Sequence, residues 1–389
     1  MSRYRLQPTA AQEATLLEHC AHARYVWNLA VEQHAHWRPG RAPAPGYAEQ
    51  NRQLTEARAA FPWLGAGSVI VQQQALRDFH QAMRNRFAGS HRRPTWRKAG
   101  RDEGFRVVGT SASRIQQVNR RWSRVLVPKV GWVRFRRSRP VPDAGSYRVT
   151  RDRAGRWHIA FAAIPPPLSG PGSGKVVGID RGVTVTLALS DGTTYQAPAV
   201  RSVERLQRRL ARAKRGSNRR AKLKARRARL HARNADARKD WAEKASTTIA
   251  RDYDLIRIED LRVRDMTRSA RGTVEAPGRN IRQKAGMNRA ILSKGWSLFA
   301  ERLEHKAAGR VEKVNPAYTS QRCSACGHVA AESRKSQALF ACVACNYTGN
   351  ADVNAALNIA AGHAATARGG RPLGLPANRE PQPVTSSVA

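Results

Sequence analysis

Four of the five cysteines lie in two closely spaced pairs late in the chain. Cys323 and Cys326 are separated by two residues, and Cys342 and Cys345 repeat that spacing after an interval of fifteen residues. Two Cys-x-x-Cys pairs at this separation supply four thiolates to one tetrahedral Zn²⁺. Since sulfur fills all four coordination positions, the pattern predicts a structural zinc ion in a zinc ribbon rather than a catalytic one. Cys20 stands apart from this group and is expected to pack in a helical core.

Three carboxylates stand at positions suited to hold divalent cations. Asp180 ends the predicted strand KVVGID (175–180), Glu259 lies at the end of the predicted strand LIRIED (255–260), and Asp352 opens the helix after the second cysteine pair. Carboxylate oxygens are the hard ligands that Mg²⁺ and Mn²⁺ prefer, and strand ends are rigid supports for them. A single acid at such a place is more often a turn former or a helix cap. Acids are scarce in this chain, which has 28 of them against 70 bases. Three acids at such positions are therefore a candidate metal site.

Strands and helices alternate around these acids from residue 175 onward. Short β-branched and apolar runs predict strands, and apolar residues at helical spacing predict helices. The predicted strands cover 175–180, 183–189, part of 190–199, 255–260 and 310–316, and the predicted helices are a basic pair after residue 200, 291–308 and 351–361. This order resembles that of the RNase H-like fold, in which carboxylates at these three places converge on two divalent ions. The expected fold class is multidomain α/β.

Two other kinds of structure are predicted for the first 165 residues. Helical periodicity over 9–37, 47–60 and 68–87 predicts a small helical bundle. Residues 100–165 contain short β-rich runs separated by Gly and Pro, which predicts a small β-barrel or meander. The sequence PPPLSGPGSG (165–174) is typical of a linker.

The charge of the chain indicates a polyanionic partner. Lys and Arg total 70 against 28 Asp and Glu, a formal net charge of +42. Residues 201–240 alone carry 17 Lys and Arg against three acids, so this basic hairpin is expected to contact a nucleic-acid backbone. Its alanines form a stripe of small residues that is expected to face a neighbouring element. These alanines are Ala221, Ala225, Ala228 and Ala232.

The sequence offers no signal for a membrane or for secretion. It contains no run of about 18 apolar residues, and its first residues, MSRYRLQPTAAQ, lack the apolar stretch of a secretion signal. We therefore expect no membrane span and a location in the bacterial cytosol or nucleoid, where a reducing environment suits clustered metal-binding thiols.

Several stretches together resemble the TnpB family of insertion-sequence proteins, which act as RNA-guided DNA endonucleases. The most specific are TSQRCSACG (319–327) and NADVNAALNI (350–359), and VGIDRGV (177–183) and IRIEDLRVRDM (256–266) also fit. The N-terminal half fits more loosely, through RYVWNLAVEQ (24–33) and VLVPKVGWVRF. The resemblance spans nearly the whole chain and is sharpest in its second half.

This resemblance implies a RuvC-like nuclease domain in which Asp180, Glu259 and Asp352 bind two Mg²⁺ or Mn²⁺ ions. It also implies that the zinc ribbon is inserted in that domain and that the N-terminal half forms a helical recognition lobe and a wedge-like β-barrel. The implied domains are the wedge-like β-barrel (1–8 and 96–170), the helical recognition lobe (9–95), the RuvC-like nuclease domain (171–317 and 351–366, with the basic hairpin at 201–250 and a lid loop at 265–290), the zinc ribbon (318–350) and a disordered tail (367–389).

The implied partners are a guide RNA derived from a transposon end and a double-stranded DNA target with a short motif beside it, held in a monomeric ribonucleoprotein. Base pairing would then read the target sequence, while the protein grips shape and backbone. Three alternatives stay open: a compact type V CRISPR effector nuclease, a non-catalytic zinc-ribbon nucleic-acid-binding protein, and a transposase that transfers strands. The carboxylate trio favours a nuclease over the binding protein.

Overall fold

The computed structural model describes most of the chain. The described residues are 2–38, 40, 42–109 and 114–362. The tail predicted as disordered and the last residues of the predicted nuclease segment lie outside them. Within this described part of the chain, no helix is long and apolar enough to cross a membrane.

The chain divides into two compact units. The first unit contains Met1–Pro165 together with Ser202–Arg233. The second unit contains Pro166–Arg201 together with the chain from Asn234 onward. Each unit has its own buried apolar core.

The first unit begins with a strand and continues with helices where the sequence predicts them. The helices are Ala10–Ala35 (α1), Tyr47–Ala60 (α2), Pro62–Ala66 (α3) and Val69–Phe87 (α4). The Thr9 hydroxyl accepts from the Gln12 N–H, and the Gln12 side chain accepts from the Thr9 N–H, a capping box that fixes the first turn of α1. Leu16 and Cys20 are buried on the inner face of α1, so the core position predicted for Cys20 is confirmed. The short helix α3, with Pro62 at its start, was not predicted.

An antiparallel sheet completes the core of the first unit. Its strands are Ser2–Gln7 (β1), Gly104–Val108 (β2), Ile115–Gln117 (β3), Trp122–Val127 (β4), Gly131–Arg136 (β5), Ser146–Arg151 (β6) and Trp157–Phe161 (β7). They lie in the order β2-β6-β7-β1-β5-β4-β3. The Tyr147 hydroxyl on β6 donates to the Leu126 carbonyl on β4 at 3.0 Å, so the sheet curls around a core that includes Tyr4, Phe135 and Phe161. Closure into a barrel stays a prediction.

The basic hairpin is a pair of helices joined by a short turn. The helices are Glu204–Arg212 (α5) and Asn218–Asp252 (α6). Leu206 and Leu210 of α5 pack against Leu223 of α6 and are buried. Ala221 and Ala225 are exposed, whereas Ala228 and Ala232 are half-buried, so the expectation that the alanine stripe faces a neighbouring element is met only in part. Leucines remove more apolar surface from water than alanines do, and they decide which face turns inward.

The second unit is built on a five-stranded mixed sheet. Its strands are Val176–Asp180 (β8), Leu187–Leu189 (β9), Thr194–Tyr195 (β10), Leu255–Glu259 (β11) and Val311–Val314 (β12). They lie in the order β10-β9-β8-β11-β12. Strands β8, β11 and β12 run parallel, and β9 pairs antiparallel with both β8 and β10. All five predicted strands are present, and the second is shorter than predicted because residues 183–186 form bends.

Helices cover the sheet of the second unit. They are Val263–Met266 (α7), Ile281–Lys294 (α8), Trp296–Lys306 (α9) and Ala351–Ala360 (α10). Phe299 and Leu303 of α9 pack with Ile249 of α6 against the buried isoleucines of β8 and β11. The segment 265–290 is not a loop throughout, as was predicted, because α8 occupies its last ten residues. Most side chains in the first half of α8 are exposed, so it lacks the apolar periodicity that would have indicated a helix. The lid stays a prediction for the remaining loop.

The strands of a small hairpin flank the second cysteine pair and lead into α10. Its strands are Leu339–Ala341 (β13) and Thr348–Asn350 (β14), which pair antiparallel. Phe340 is buried here together with Cys323, Cys342 and Ala351. This core is too small to be stable alone, which is the usual reason for a metal ion in such a region.

Candidate active site and metal centre

Asp180 and Glu259 lie at the carboxyl ends of two paired strands. β8 and β11 run parallel with Ile179 opposite Ile258, so the next residues on the two strands are Asp180 and Glu259. The two isoleucines are buried in the core on one face of the sheet. Because side chains alternate between faces along a strand, the two acids project from the other face.

The helix α10 brings Asp352 to this same face. A Cβ on Gly178 would collide with the backbone of Ala356 and Ala360, so α10 lies directly on β8 where glycine leaves room. Asp352, Ala356 and Ala360 are spaced by four residues and share one stripe of the helix. Gly178 and Asp180 share one face of β8. The first turn of α10, with Asp352, therefore lies beside Asp180.

The three carboxyl groups carry the electrostatic signature of a crowded acidic site. Burial, followed by the nearby charges of Glu259 and Asp352, raises the pKa of Asp180 to about 7. Burial also raises the pKa of Glu259 and of Asp352. Arg334, which donates to Asp352 Oδ1 at 3.4 Å, works against this rise at Asp352. Burial is thus the main cause of the raised pKa at all three acids, and repulsion by the other two acids adds to it at Asp180.

A divalent cation fits the chemistry of these donors. Buried carboxylates that repel one another are stabilised when a hard cation binds between them. Among the described residues, the ligand atoms of the four cysteines all lie within 4.8 Å of one another. The carboxylate oxygens of the three acids do not form such a group. The acids thus converge on one end of the sheet but are not drawn together around a point.

Two side chains that hold Glu259 were not anticipated from the sequence. The Thr319 hydroxyl donates to Glu259 Oε1 at 2.7 Å and is buried. The guanidinium of Arg181, only 6% exposed, donates to the backbone carbonyl of Glu259. A threonine in a loop and an arginine after a strand have no chemical signal of their own, because their role depends on a partner far away in the sequence.

The raised pKa of Asp180 predicts how the Mg²⁺-free protein responds to pH. This carboxyl titrates near 3.8 ordinarily and at about 7 in the folded protein, so the folded state binds the proton more tightly. The free energy of unfolding should therefore fall as pH rises from about 4 to about 7. Asp180→Asn should remove the part of this fall that Asp180 contributes and raise the thermal midpoint above about pH 7. Thermal unfolding of both proteins across this range checks it; an unchanged pH slope in the variant would contradict the assignment.

The four predicted cysteines meet at one point. Their Sγ atoms all lie within 4.8 Å of one another. The Sγ atoms of Cys323 and Cys345 are 3.7 Å apart, as are those of Cys326 and Cys342. Sulfurs bound to one tetrahedral zinc at about 2.3 Å are separated by about 3.8 Å. The arrangement fits a metal ion such as zinc without rearrangement.

The turns after each cysteine pair aim the sulfurs inward. Gly327 and Asn346 follow the pairs and adopt the left-handed conformation, with φ of 77° and 58°, which glycine and asparagine tolerate best. The Ala344 N–H donates to Cys342 Sγ at 3.4 Å. Burial works to raise the pKa of Cys342, but N–H groups of Ala344 and Cys345 lower it to about 6. At Cys342 this favours the thiolate, the form that binds metal. At Cys326 a backbone hydrogen bond at His328 lowers the pKa, but burial and the neighbouring thiols raise it overall.

Two asparagines of α10 tie the cysteine region to the acidic site. Asn354 accepts from the Ser324 N–H at 2.9 Å and donates to the Arg322 carbonyl at 2.7 Å. Asn358 donates to the carbonyls of Thr319 and Arg322 at 3.0 and 2.7 Å. Because α10 also carries the third acid and Thr319 contacts the second, the cysteine region and the acidic site form one connected structure.

Comparisons with known proteins decide the family. Family models match three segments: one described as a probable transposase at 158–270, a helix-turn-helix domain at 2–39, and a Cas12f1-like TNB domain at 296–359. Over 391 aligned residues the chain is 36% identical to InsQ of Escherichia coli (strain K12), whose name describes an RNA-guided DNA endonuclease, and the alignment covers 95% of both proteins. The chain belongs to the TnpB family. The resemblance seen in the sequence motifs is thereby confirmed.

Further relatives agree with this TnpB-family assignment. A Streptomyces pristinaespiralis protein, whose name also describes an RNA-guided DNA endonuclease, is 31% identical over 384 residues, which cover 94% of this chain and 90% of that protein. A Cas12f1 structure, solved as a complex with sgRNA and target DNA, matches with a TM-score of 0.53 and 15% identity, covering 90% of this chain and 82% of that one. At this identity the likeness concerns the fold alone, and it supports a multidomain α/β architecture.

Proposed function

We propose that this TnpB-family protein is an RNA-guided DNA endonuclease that hydrolyses phosphodiester bonds at sites matched by a guide RNA and flanked by a short motif. The observation that carries the proposal is the convergence of Asp180, Glu259 and Asp352 at one end of a sheet, in a chain of this family. A protein that only binds nucleic acid has no use for three carboxyl groups gathered where burial raises the pKa of each.

The second unit is proposed to contain a RuvC-like nuclease domain of RNase H-like fold. When the strands are numbered along the chain, their order in the sheet is third, second, first, fourth, fifth. Asp180 and Glu259 end the first and fourth strands, and Asp352 lies in the first turn of the last helix. The proposed domain comprises 171–317 and 351–366 and encloses the zinc ribbon at 318–350. The proposed wedge-like barrel (1–8 and 96–170) and recognition lobe (9–95) belong to the first unit except for residues 166–170, and that unit also contains Ser202–Arg233 of the hairpin.

Asp180, Glu259 and Asp352 are proposed to hold Mg²⁺ or Mn²⁺, and the four cysteines a structural Zn²⁺. When bound, the divalent ions polarise a phosphate and lower the pKa of water. The residues of the chain prepare this site: Thr319 and Arg181 fix the position of Glu259, and the α10 asparagines fix the helix that carries Asp352. The proposed partners are a guide RNA from the transposon end and double-stranded target DNA, bound by one copy of the protein.

The basic hairpin is proposed to grip a nucleic-acid backbone. Arg209, Arg219, Lys222 and Arg226 line a cavity of about 380 Å³ between its two helices, with Leu223 as its apolar side chain. Four cations around one cavity repel one another unless an anion lies between them, and a phosphate group has the charge and the acceptors to do so.

Replacing Arg219, Lys222 and Arg226 by alanine should weaken RNA binding and flatten its salt dependence. Each phosphate contact contributes about 0.7 to 0.9 to the slope of log affinity against log salt. The triple variant should therefore lose about 2 to 3 units of slope. Titrations of the copurifying RNA at several salt concentrations measure this. Lys244→Ala, in the same helix but paired with Asp240 at 2.8 Å, is the control and should change the slope little; an unchanged slope in the triple variant would exclude the hairpin as a phosphate-binding surface.

Sequencing the RNA that copurifies with the full-length protein tests the function. We expect one defined RNA species from the end of the transposable element. DNA that matches its guide portion, beside a randomised flanking segment, should be cut in Mg²⁺, and the cut molecules should share a short flanking motif. If the purified ribonucleoprotein leaves matched DNA intact, the alternative of a non-catalytic nucleic-acid-binding protein is favoured. A repeat array beside the gene would favour the type V CRISPR effector.

A further inference from the structure

A slot of exposed aromatic side chains lies on the outer face of α1. Tyr25, Leu29, Trp63 and Trp96 remain between 43% and 56% exposed, and they line a cavity of about 510 Å³. Tyr25 packs edge-on against Trp63, with ring centroids 5.0 Å apart. Large aromatic rings normally bury most of their surface, so a slot of them held open to solvent indicates a ligand with flat apolar faces.

Trp96 also lines a second cavity, whose other side chains are mostly cationic. Lys98 and Arg101 line this second cavity, also of about 510 Å³, and Arg97 lies at its side. Its one acid, Asp102, is paired with Arg101 at 3.5 Å. The indole of Trp96 thus separates an aromatic slot from a cationic one.

The backbone on both sides of Trp96 is fixed to α1. The indole N–H of Trp27 donates to the Thr95 carbonyl at 2.9 Å. Asn28 accepts from the Arg97 N–H at 2.7 Å and donates to its carbonyl at 3.0 Å. The Arg97 guanidinium also stacks on the Trp27 ring, 3.8 Å from its centroid. Since this support is already ordered, a ligand would bind without an entropic cost for ordering the segment.

The charges beside the two cavities match the two parts of a nucleotide. Glu18 and Glu32 line the aromatic slot together with Arg24, whose guanidinium is paired with Glu103 at 2.6 Å. The two acids would repel a phosphate but can accept hydrogen bonds from the amino group of a base. Lys98 and Arg101 lie where they would attract a phosphate. We propose that an unpaired nucleotide binds here, with its base stacked on Trp96 in the aromatic slot and its phosphate against Lys98 and Arg101. The inference rests on the proposed function and names a contact that it would use.

Two variants of Trp96 test the site in the full-length protein. Stacking contributes about 1 to 3 kcal/mol per base, so Trp96→Leu should weaken affinity about 5- to 140-fold. Trp96→Phe keeps an aromatic face and should stay within about 3-fold of wild type. The probes are the copurifying RNA remade by transcription and, for RNA-loaded protein, the matched double-stranded DNA, both at about 150 mM salt. Weaker RNA binding assigns the base to the RNA, and weaker DNA binding alone assigns it to the DNA.

Trp37→Leu is the matched control. Trp37 is 47% exposed, lies in the same unit outside both cavities, and should bind both probes like wild type. After ultraviolet crosslinking, mass spectrometry should find a nucleotide adduct on the peptide that contains Trp96. If Trp96→Leu binds both probes within about 2-fold of wild type, or no more weakly than the control does, the site is wrong. A nucleic-acid-free dimer that Trp96→Leu abolishes would show instead that a second copy fills the slot.

A charge variant keeps the proposal testable if Trp96→Leu unfolds. Lys98→Gln with Arg101→Gln should reduce the salt slope of binding by about 1.5 units, and an unchanged slope would overturn the phosphate contact. Failure of the site and failure of the proposed function are distinguishable. If wild-type protein does not cut matched DNA, the function fails; if it cuts and both sets of variants bind as it does, only this site fails.

Discussion

Asp180→Ala should abolish DNA cleavage while leaving RNA binding unchanged. Glu259 and Asp352 both lie close enough to raise the pKa of Asp180, so removing this carboxyl group should disrupt the proposed ion site. We expect the rate on matched DNA in Mg²⁺ to fall by at least about 1,000-fold. RNA binding should persist because Asp180 is not part of the cationic surfaces. A single-turnover cleavage assay and an RNA titration on the same preparation measure both effects.

Asp260→Asn is the matched control for this experiment. Asp260 follows Glu259 directly, but strand alternation turns its side chain toward the other side of the strand. It lines a cavity with Glu301 and Glu304 that also reaches Glu259 and Arg181. The rate of DNA cleavage by Asp260→Asn should stay within about 5-fold of that of wild type. Equal losses in Asp180→Ala and Asp260→Asn would mean that general acidity of the region, and not the converging trio, matters. Full activity of Asp180→Ala would remove Asp180 from the site.

Cys342→Ser should lose the zinc ion and, with it, cleavage. Four thiolates around one tetrahedral zinc contribute on the order of 10 kcal/mol to the folding of small zinc domains, and the apolar core here consists of a few residues. Without the metal, the segment 318–350 should become sensitive to protease. Since Asn354 and Asn358 connect α10 to this segment, the third acid should lose its position. Zinc content, limited proteolysis and the cleavage assay measure the three steps.

Cys20→Ser separates the loss of zinc from the loss of a buried thiol. Cys20 is 1% exposed in the core of the first unit, and burial raises its pKa to about 12, so it stays a neutral thiol. Its serine variant should lower the thermal midpoint of the first unit yet keep one zinc ion per chain. Retention of zinc by Cys342→Ser would contradict the role of Cys342 as a zinc ligand. Full cleavage by zinc-free protein would show that the ribbon is not needed to hold the acids.

The site residues that could be predicted from the sequence are those whose role follows from residue type and local spacing. Cysteine pairs two residues apart define a metal site wherever the chain places them, and the structure brings all four together. Asp180 and Glu259 were predicted because they lie at the ends of predicted strands whose order resembles that of the RNase H-like fold. The division into β-rich, helical and α/β segments followed from the periodicity of apolar residues.

The supporting contacts were not predictable because they join residues distant in sequence. Thr319 reaches Glu259 across 60 residues, and Asn358 reaches Arg322 across 36. Each is a polar side chain whose partner is known only after the chain has folded. The helix α8 was missed for a different reason: its first half is mostly solvated, so no apolar stripe marks it.

A structure of the RNA- and DNA-bound protein with Mn²⁺, measured at the manganese absorption edge, tests the account most directly. We expect manganese signals within coordination distance, about 2.1 Å, of oxygens from Asp180, Glu259 and Asp352, with the DNA backbone beside them. Manganese bound elsewhere on the protein, with these three carboxylates in contact only with one another or with arginines, would contradict the assignment of the catalytic site.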